Sequence, residues 1–374
     1  MRTPICERLG IEVPIFAFSH CRDVVAAVSR AGGFGVLGAL AFSNEQLEVE
    51  LDWIDEHVGG RPYGVDVVVP VKYEGAAQGG LDKATLEAMV PPRHREFIES
   101  TLQRYEVPKL PEGESAHEGL LAWSHSGART QEEIALSHPI KMVVNALGTP
   151  TREMVDAAHK KGALVASLVG TVEHARRQVE AGVDVIVAQG SEAGGHTGEI
   201  GTMVLVPDVV DAVAPVPVLA AGGIGSGRQV AAALALGAQG AWMGSVWLAT
   251  AESDLHPVAL QKVLQATARD TVRSRSMTGK PARQLRTAWT EAWDAPDSPG
   301  TLPMPLQWLA TADAQTRIHR YAHSEKSRAR ELVGTPIGQI VGRMNRVQPV
   351  RDVIYDMMNE LVDTVQRLSA QLSE

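Results

Sequence analysis

The chain is predicted to fold as a (β/α)8 barrel, and three observations carry that prediction. Short β-branched runs alternate with longer helical patterns through the first 250 residues, the arrangement of parallel βαβ units. The helical stretches end in glycine, as in "CRDVVAAVSRAGG" and "TVEHARRQVEAG", where a helix terminus hands the chain to a strand. Eight strands in about 250 residues match the count and size of this barrel. A doubly wound sheet fits less well, because no G-x-G-x-x-G follows the first strand.

In order, the predicted strands are Val13–Phe18, Gly35–Ala39, Tyr63–Val69, Lys141–Asn145, Leu164–Val169, Val183–Gln189, Val216–Ala221 and Gly240–Gly244. The barrel therefore takes residues 1–70 and 139–250. Residues 71–138 are far too long for a βα connection and read as a lid leaving the C-terminal rim. The lid holds the helical "VPPRHREFIESTLQRY" and the loop-like "VPKLPEGESAHEG". Its Lys72, Tyr73, His94, His117, His125 and His138 match no metal motif and read as surface or lid residues. Trp123 is placed at the entrance as a substrate contact. Residues 251–374 form a C-terminal helical extension packing on barrel and lid, with a final amphipathic helix from Val350 to Leu372.

Composition narrows the function classes. Of 374 residues, 44% are hydrophobic and 21% charged, as in ordinary folded proteins. The net charge of −9 and the lack of basic clusters argue against a nucleic-acid partner. Cys6 and Cys21 are too few for a disulfide framework and lack metal-site spacing. There is no secretory leader pattern and no apolar run long enough to span a bilayer. The expectation is a reduced, cytoplasmic protein without a membrane segment, acting on a small molecule and compatible with a homodimer.

Two stretches carry chemistry. In "PVLAAGGIGSGRQVAAALALGAQGAWMGS" a strand runs into Gly222 and Gly223, and a helix starts near Gly227. The next strand ends at Trp242, Met243, Gly244 and Ser245. Glycine turns beside a helix N-terminus offer free N–H donors, so this pair reads as a phosphate site after strands seven and eight. The plainer reading is two tight turns. In "AQGSEAGGHTG", Gln189 and Gly190 leave the sixth strand, and Gly194 and Gly195 let the main chain run flat against a planar ring. His196 then stands on the rim, where a neutral imidazole takes a proton from a carbon acid. The plainer reading is a surface histidine on a flexible loop. Glu192 either braces that loop or points to solvent. His20 ends the first strand at the same rim, either facing substrate or packed beside a helix cap at Ser19. Cys21, at a helix start, is a candidate reactive thiol.

These motifs, with "WMGSVWLAT", "PYGVDVVVP" and "VVNALGTP", resemble the nitronate monooxygenase family, formerly 2-nitropropane dioxygenases, across most of residues 10–250. The resemblance implies an FMN-dependent TIM barrel. It places the catalytic histidine on His196, and flavin contacts on Gln189, Gly194, Gly222, Gly223 and Trp242 to Ser245, with Phe18, Ser19, Asp66, Gly190 and Gly195 around them. The implied reaction oxidises an alkyl nitronate with O2 to a carbonyl compound and nitrite. Related barrels imply two alternatives: an FMN-dependent reductase moving hydride from NAD(P)H to a quinone or enoyl thioester, and a flavin-binding scaffold without nitronate activity.

Three features depart from the family pattern. Relatives begin the barrel with "PI-x-Q-A-P-M", whereas this chain reads "PIFAFSH" from Pro14 to His20. Relatives often carry Asn where Asp66 stands, and an ionised Asp only accepts hydrogen bonds. The lid segment is longer than is usual.

Overall fold

The computed structural model describes residues 2–67, 83–114 and 125–372. Eight parallel strands close into a barrel: β1 (Ile15–Ser19), β2 (Phe34–Gly38), β3 (Tyr63–Val67), β4 (Met142–Asn145), β5 (Leu164–Val169), β6 (Val185–Gln189), β8 (Val218–Ala221) and β9 (Gly240–Met243), with β9 pairing back to β1. The predicted strands coincide with these, and the tail of the third, beyond Val67, lies outside the described residues. Val13, Val183 and Val216 are apolar but lie just outside their strands.

Alternation along each strand sorts side chains into two cores. Phe16, Phe34, Val36, Met142, Val144, Val185, Val187, Leu219 and Trp242 fill the barrel interior. Ile15, Leu37, Val65, Val143, Ile186 and Met243 face outward and pack under the helices. The helix Pro4–Leu9 closes the N-terminal end, since Ile5, Cys6 and Leu9 belong to the interior core. Cys6 is thus a buried apolar plug residue. The opposite end, where the strands finish, stays available for a site.

The segment after β9 departs from the all-helical expectation. It contributes two antiparallel strands, β10 (Thr271–Ser274) and β11 (Ala282–Leu285). A two-residue strand from the glycine-rich loop, β7 (Gly195–His196), adds to the edge of β11. "TVRS" and "ARQL" flank a turn containing Gly279, a hairpin signal weaker than the helical periodicity around it. The remainder is helical and shares a core with the described part of the lid. Ile98 and Leu102, on the lid helix Pro92–Arg104, pack with Trp289, Trp293, Ala314 and Ile318. Arg317, 3% exposed, pins them together, donating to Glu99, Asp313 and the Val107 and Pro108 carbonyls.

Two histidines read as surface or lid residues have structural partners. His94 meets the Gly300 carbonyl at 3.1 Å and stacks on Trp293. His138 Nδ1 lies 2.7 Å from Asp55, whose other oxygen accepts from the Tyr63 hydroxyl at 2.6 Å. This triad ties the helix Asn44–His57 and strand β3 to the chain returning from the lid. Removing the shared carboxylate leaves two buried groups unpaired, a cost of about 2–3 kcal/mol. Asp55→Ala is therefore expected to lower the thermal midpoint by about 3 °C for a chain of this size, and Tyr63→Phe by less. Calorimetry on the two variants checks the order, and an unchanged midpoint in Asp55→Ala would refute the role.

Candidate active site

Strand geometry decides which side chains reach the open end. On β3, Tyr63, Val65 and Val67 pack outward, so Asp66 points into the barrel mouth. By the same alternation Phe18, Gln189 and Trp242 face inward beside it. Phe18 and Trp242 stack at 6.4 Å between centroids. Met243 has the opposite orientation, with its side chain packed beneath the helices and its carbonyl held by Trp247 Nε1 at 2.7 Å. Only its main chain is left to face a ligand.

Asp66 is 3% exposed, and its Oδ1 has no hydrogen-bond partner. Burial pushes its carboxyl well above the usual carboxylate range, against one opposing hydrogen bond from the Ala146 main chain. Burial therefore works against the ionised, accept-only form of Asp66 and toward the form that has an O–H to give. His20 lies over Gly38, the register partner of Asp66 on β2. A Cβ at Gly38 would come within 2.6 Å of the His20 ring. His20 Nδ1 meets the Gly38 carbonyl at 2.9 Å, and the ring sits edge-on to Phe18. The residue remains exposed to solvent. Burial lowers its pKa, with the Gly38 carbonyl and Asp254 opposing.

Ser19 and Cys21 turn away from this chemistry. Ser19 Oγ accepts from the Cys21 main chain at 3.1 Å. Cys21 Sγ donates to the Glu252 carbonyl, and burial pushes its thiol up. Its surroundings are the reverse of those that make a thiolate.

The glycine-rich loop is held from outside the barrel. Glu192 braces it: the carboxylate accepts from the Thr202 N–H at 3.0 and 3.1 Å and from the Thr202 hydroxyl at 2.9 Å, capping the helix Thr202–Val213. Gly190 donates to the Ala221 carbonyl at 2.9 Å. A Cβ at Gly194 would lie 2.8 Å from the main chain of Ile337 and Gly338. Close passage of that C-terminal segment accounts for glycine there without any planar ring. Gly195 has φ +75 and open space around it, so its conformation is what requires glycine. Gly195 and His196 then pair with Arg283 and Ala282.

His196 is half-buried. Its Nδ1 lies 3.2 Å from the Pro281 carbonyl, which only accepts, so Nδ1 carries the hydrogen. That leaves Nε2 as a lone-pair site, 3.3 Å from Thr278 Oγ1. Burial keeps the imidazole below its ordinary pKa; the Pro281 carbonyl opposes this and the Lys280 charge adds to it. Thr278, Lys280 and Pro281 all come from the β10–β11 turn and were absent from the sequence reading.

The phosphate reading changes in detail. At the start of the helix Gly227–Ala235, Glu360 of the final helix accepts from the Gly227 N–H at 2.8 Å and pairs with Arg228 at 2.6 Å. A carboxylate already sits where an anion was expected. Gly222 and Gly223, both left-handed, pack against Thr202, Gly190 and Glu192 of the glycine-rich loop and its helix. Ser245 Oγ accepts from the Gly338 N–H at 2.8 Å. Trp123, Lys72, Tyr73 and His117 lie outside the described residues, as does the side chain of His125. Among the described residues no group of His, Cys, Asp and Glu could hold a metal ion, and no helix is long and apolar enough to cross a membrane.

A nitronate monooxygenase family model matches residues 11–360. The chain belongs to the nitronate monooxygenase family. It is an oxidoreductase of that family, built on the family's barrel. It is 56% identical over 369 residues to "Putative monooxygenase Rv1533" of Mycobacterium tuberculosis, 98% of each chain being covered. Among solved structures it is similar to a nitroalkane oxidase from Streptomyces ansochromogenes, with TM-score 0.77, 26% identity, and 97% and 99% of the two chains covered. FabK from Thermotoga maritima is similar with TM-score 0.72 and 27% identity over 99% of both chains.

The raised pKa of Asp66 carries a stability signature. Because its folded pKa lies above its unfolded one, its contribution is fully present below the unfolded value and is lost as pH rises toward the folded value. Asp66→Asn, isosteric and uncharged, should melt close to wild type at pH 4 and progressively above it toward pH 8. Parallel melts give the answer; a constant gap across that range would mean an ionised Asp66.

Proposed function

We propose that this family member is an FMN-dependent nitronate monooxygenase, oxidising alkyl nitronates with O2 to a carbonyl compound and nitrite, with His196 as the base for nitroalkane substrates. The observation that carries the reading is the tautomer of His196, whose Nδ1–H is committed to the Pro281 carbonyl, so that Nε2 is the basic nitrogen; the Thr278 hydroxyl, 3.3 Å from it, has to give way to a substrate. Neutral at pH 7, such an imidazole can take an α-proton, leaving the C–H electron pair on the substrate as its nitronate.

The residues present suit a flavin. Phe18 and Trp242 supply flat apolar surface, Gln189 an amide, and Asp66 an unpaired buried polar atom aimed into the mouth. The main chains of Gly222, Gly223, Gly244 and Ser245 would take the phosphate. Bound FMN would supply the electron-accepting chemistry and the route to oxygen. The chain's own residues orient the substrate, exclude water and hold the proton at His196 Nε2.

Similarity to FabK at about the same identity as to nitroalkane oxidase supports keeping a second reading, in which NAD(P)H reduces the flavin for a quinone or enoyl acceptor. Anaerobic flavin bleaching with NADH, NADPH and a nitronate in parallel separates the two. Failure to bind FMN at all would overturn both.

His196→Asn should cut kcat/KM for neutral 2-nitropropane about a hundredfold or more, and far less for the preformed nitronate, which has no α-proton to lose. Equal losses on both substrates would argue for a binding role instead. Because burial and Lys280 hold His196 below its ordinary pKa, activity on the nitroalkane should fall only below about pH 6.5 and stay level to pH 8. A limb rising through pH 7–8 would assign the base elsewhere.

A further inference from the structure

We infer that Arg273 and Arg283 form a binding site for a phosphate group, on the β7–β10–β11 sheet beside the loop that carries His196. The inference deepens the reading in which NAD(P)H reduces the flavin, because a phosphate is what distinguishes NADPH from NADH. From Thr271 to Arg286 the charged residues are Arg273, Arg275, Lys280, Arg283 and Arg286, with no Asp or Glu, in a chain of net charge −9. They are spread along the sequence and gather only because β10 and β11 pair as a hairpin.

Register makes the pair. Arg273 stands directly opposite Arg283, so the two side chains leave the same face of the sheet. Arg283 also pairs with Gly195, one rung from the rung that joins Ala282 to His196. Like charges set opposite each other repel, and nothing in the sheet offsets the repulsion. Burial, and then the Arg273 charge, hold the Arg283 guanidinium below its ordinary pKa, with Glu192 opposing. Arg273 Nη2 donates to the Thr197 carbonyl at 3.4 Å. Arg283 donates through Nε to the Ser191 carbonyl at 3.0 Å and through Nη1 to Thr271 Oγ1 at 3.1 Å. The remaining terminal N–H groups of both guanidiniums have no hydrogen-bond acceptor among the described residues.

No carboxylate closes this site. Glu199 stands 4.0 Å from Arg273 and its side chain is 89% exposed. Glu192 is committed to Thr202, Asp270 caps at Thr267, and Asp294 meets the Ser274 hydroxyl. A guanidinium presents paired donors that match the oxygens of a phosphate, and two of them on one rung can share a tetrahedral anion. A carboxylate has oxygens enough for one guanidinium, so a phosphate is the class that engages both. The anion would also relieve the repulsion between them.

The test needs no redox chemistry. The flavin-loaded protein, in a phosphate-free buffer, is titrated calorimetrically with adenosine 2′,5′-bisphosphate, with AMP and with inorganic phosphate. The bisphosphate should bind about tenfold or more tightly than AMP at low salt, the gap narrowing as salt is added. Arg273→Gln and Arg283→Gln should each close the gap while leaving AMP within about twofold of wild type, and Arg273→Lys should keep part of it. Inorganic phosphate binding as tightly as the bisphosphate, and lost in the same variants, supports the site with the free ion as its ligand. Equal or absent binding of the two nucleotides in wild type, with no binding of inorganic phosphate, overturns the inference. So does a gap that survives in Arg273→Gln. If Arg283→Gln fails to fold, because Arg283 also holds Ser191, Arg273→Gln decides alone. A flavin that neither NADH nor NADPH bleaches would refute the nicotinamide reading, yet the titration would still decide whether the arginine pair takes a phosphate.

Discussion

The two-residue ladder joining Gly195 and His196 to Arg283 and Ala282 is the constraint on which the site depends. A loop with four glycines between Gly190 and Gly198 is costly to order and cannot by itself hold a ring in one orientation. The ladder sets its backbone, and Pro281, next in chain to the paired Ala282, holds the imidazole Nδ1. His196 and Pro281 are 85 residues apart in sequence. Gln339 and Gly338 add two further ties, to the Glu192 carbonyl and to Ser245. His196 therefore stands on a barrel loop but is aimed by the C-terminal segment.

A second regularity is that desolvation disfavours the charged form of each of these groups. Burial raises the Asp66 carboxyl and lowers His20 and His196, with Asp254 opposing the shift at His20 and Lys280 adding to it at His196. Charge is placed elsewhere: Glu360 meets the helix start at Gly227 and pairs with Arg228.

Much of this architecture was legible in the chain, for particular reasons. Barrel strands are apolar runs bounded by glycine, and Leu164–Val169 was read to the residue because both ends carry strong local signals. Gln189 could be placed because it ends the sixth strand, whereas Asp66 stood out only through the family resemblance. Other features had no local signal. His94 and His138 read as surface or lid residues, and a lone histidine in a helical, polar stretch gives no sign of the Trp293 or Asp55 that it meets. The β10–β11 hairpin was hidden by the helices around it, and with it Thr278 and Lys280.

The sequence by itself determined the barrel, the order of its strands, and the presence of His196 on a glycine-rich loop at the sixth strand's end. These follow from periodicity and turn chemistry, which act over a few residues. Only the tertiary structure decided what Asp66, His20 and His196 are chemically. Protonation state depends on which apolar atoms exclude water and which carbonyl stands within 3 Å or so. Those neighbours come from β2, β4 and a hairpin far along the chain, brought together only when the barrel closes and the C-terminal segment lies across its mouth.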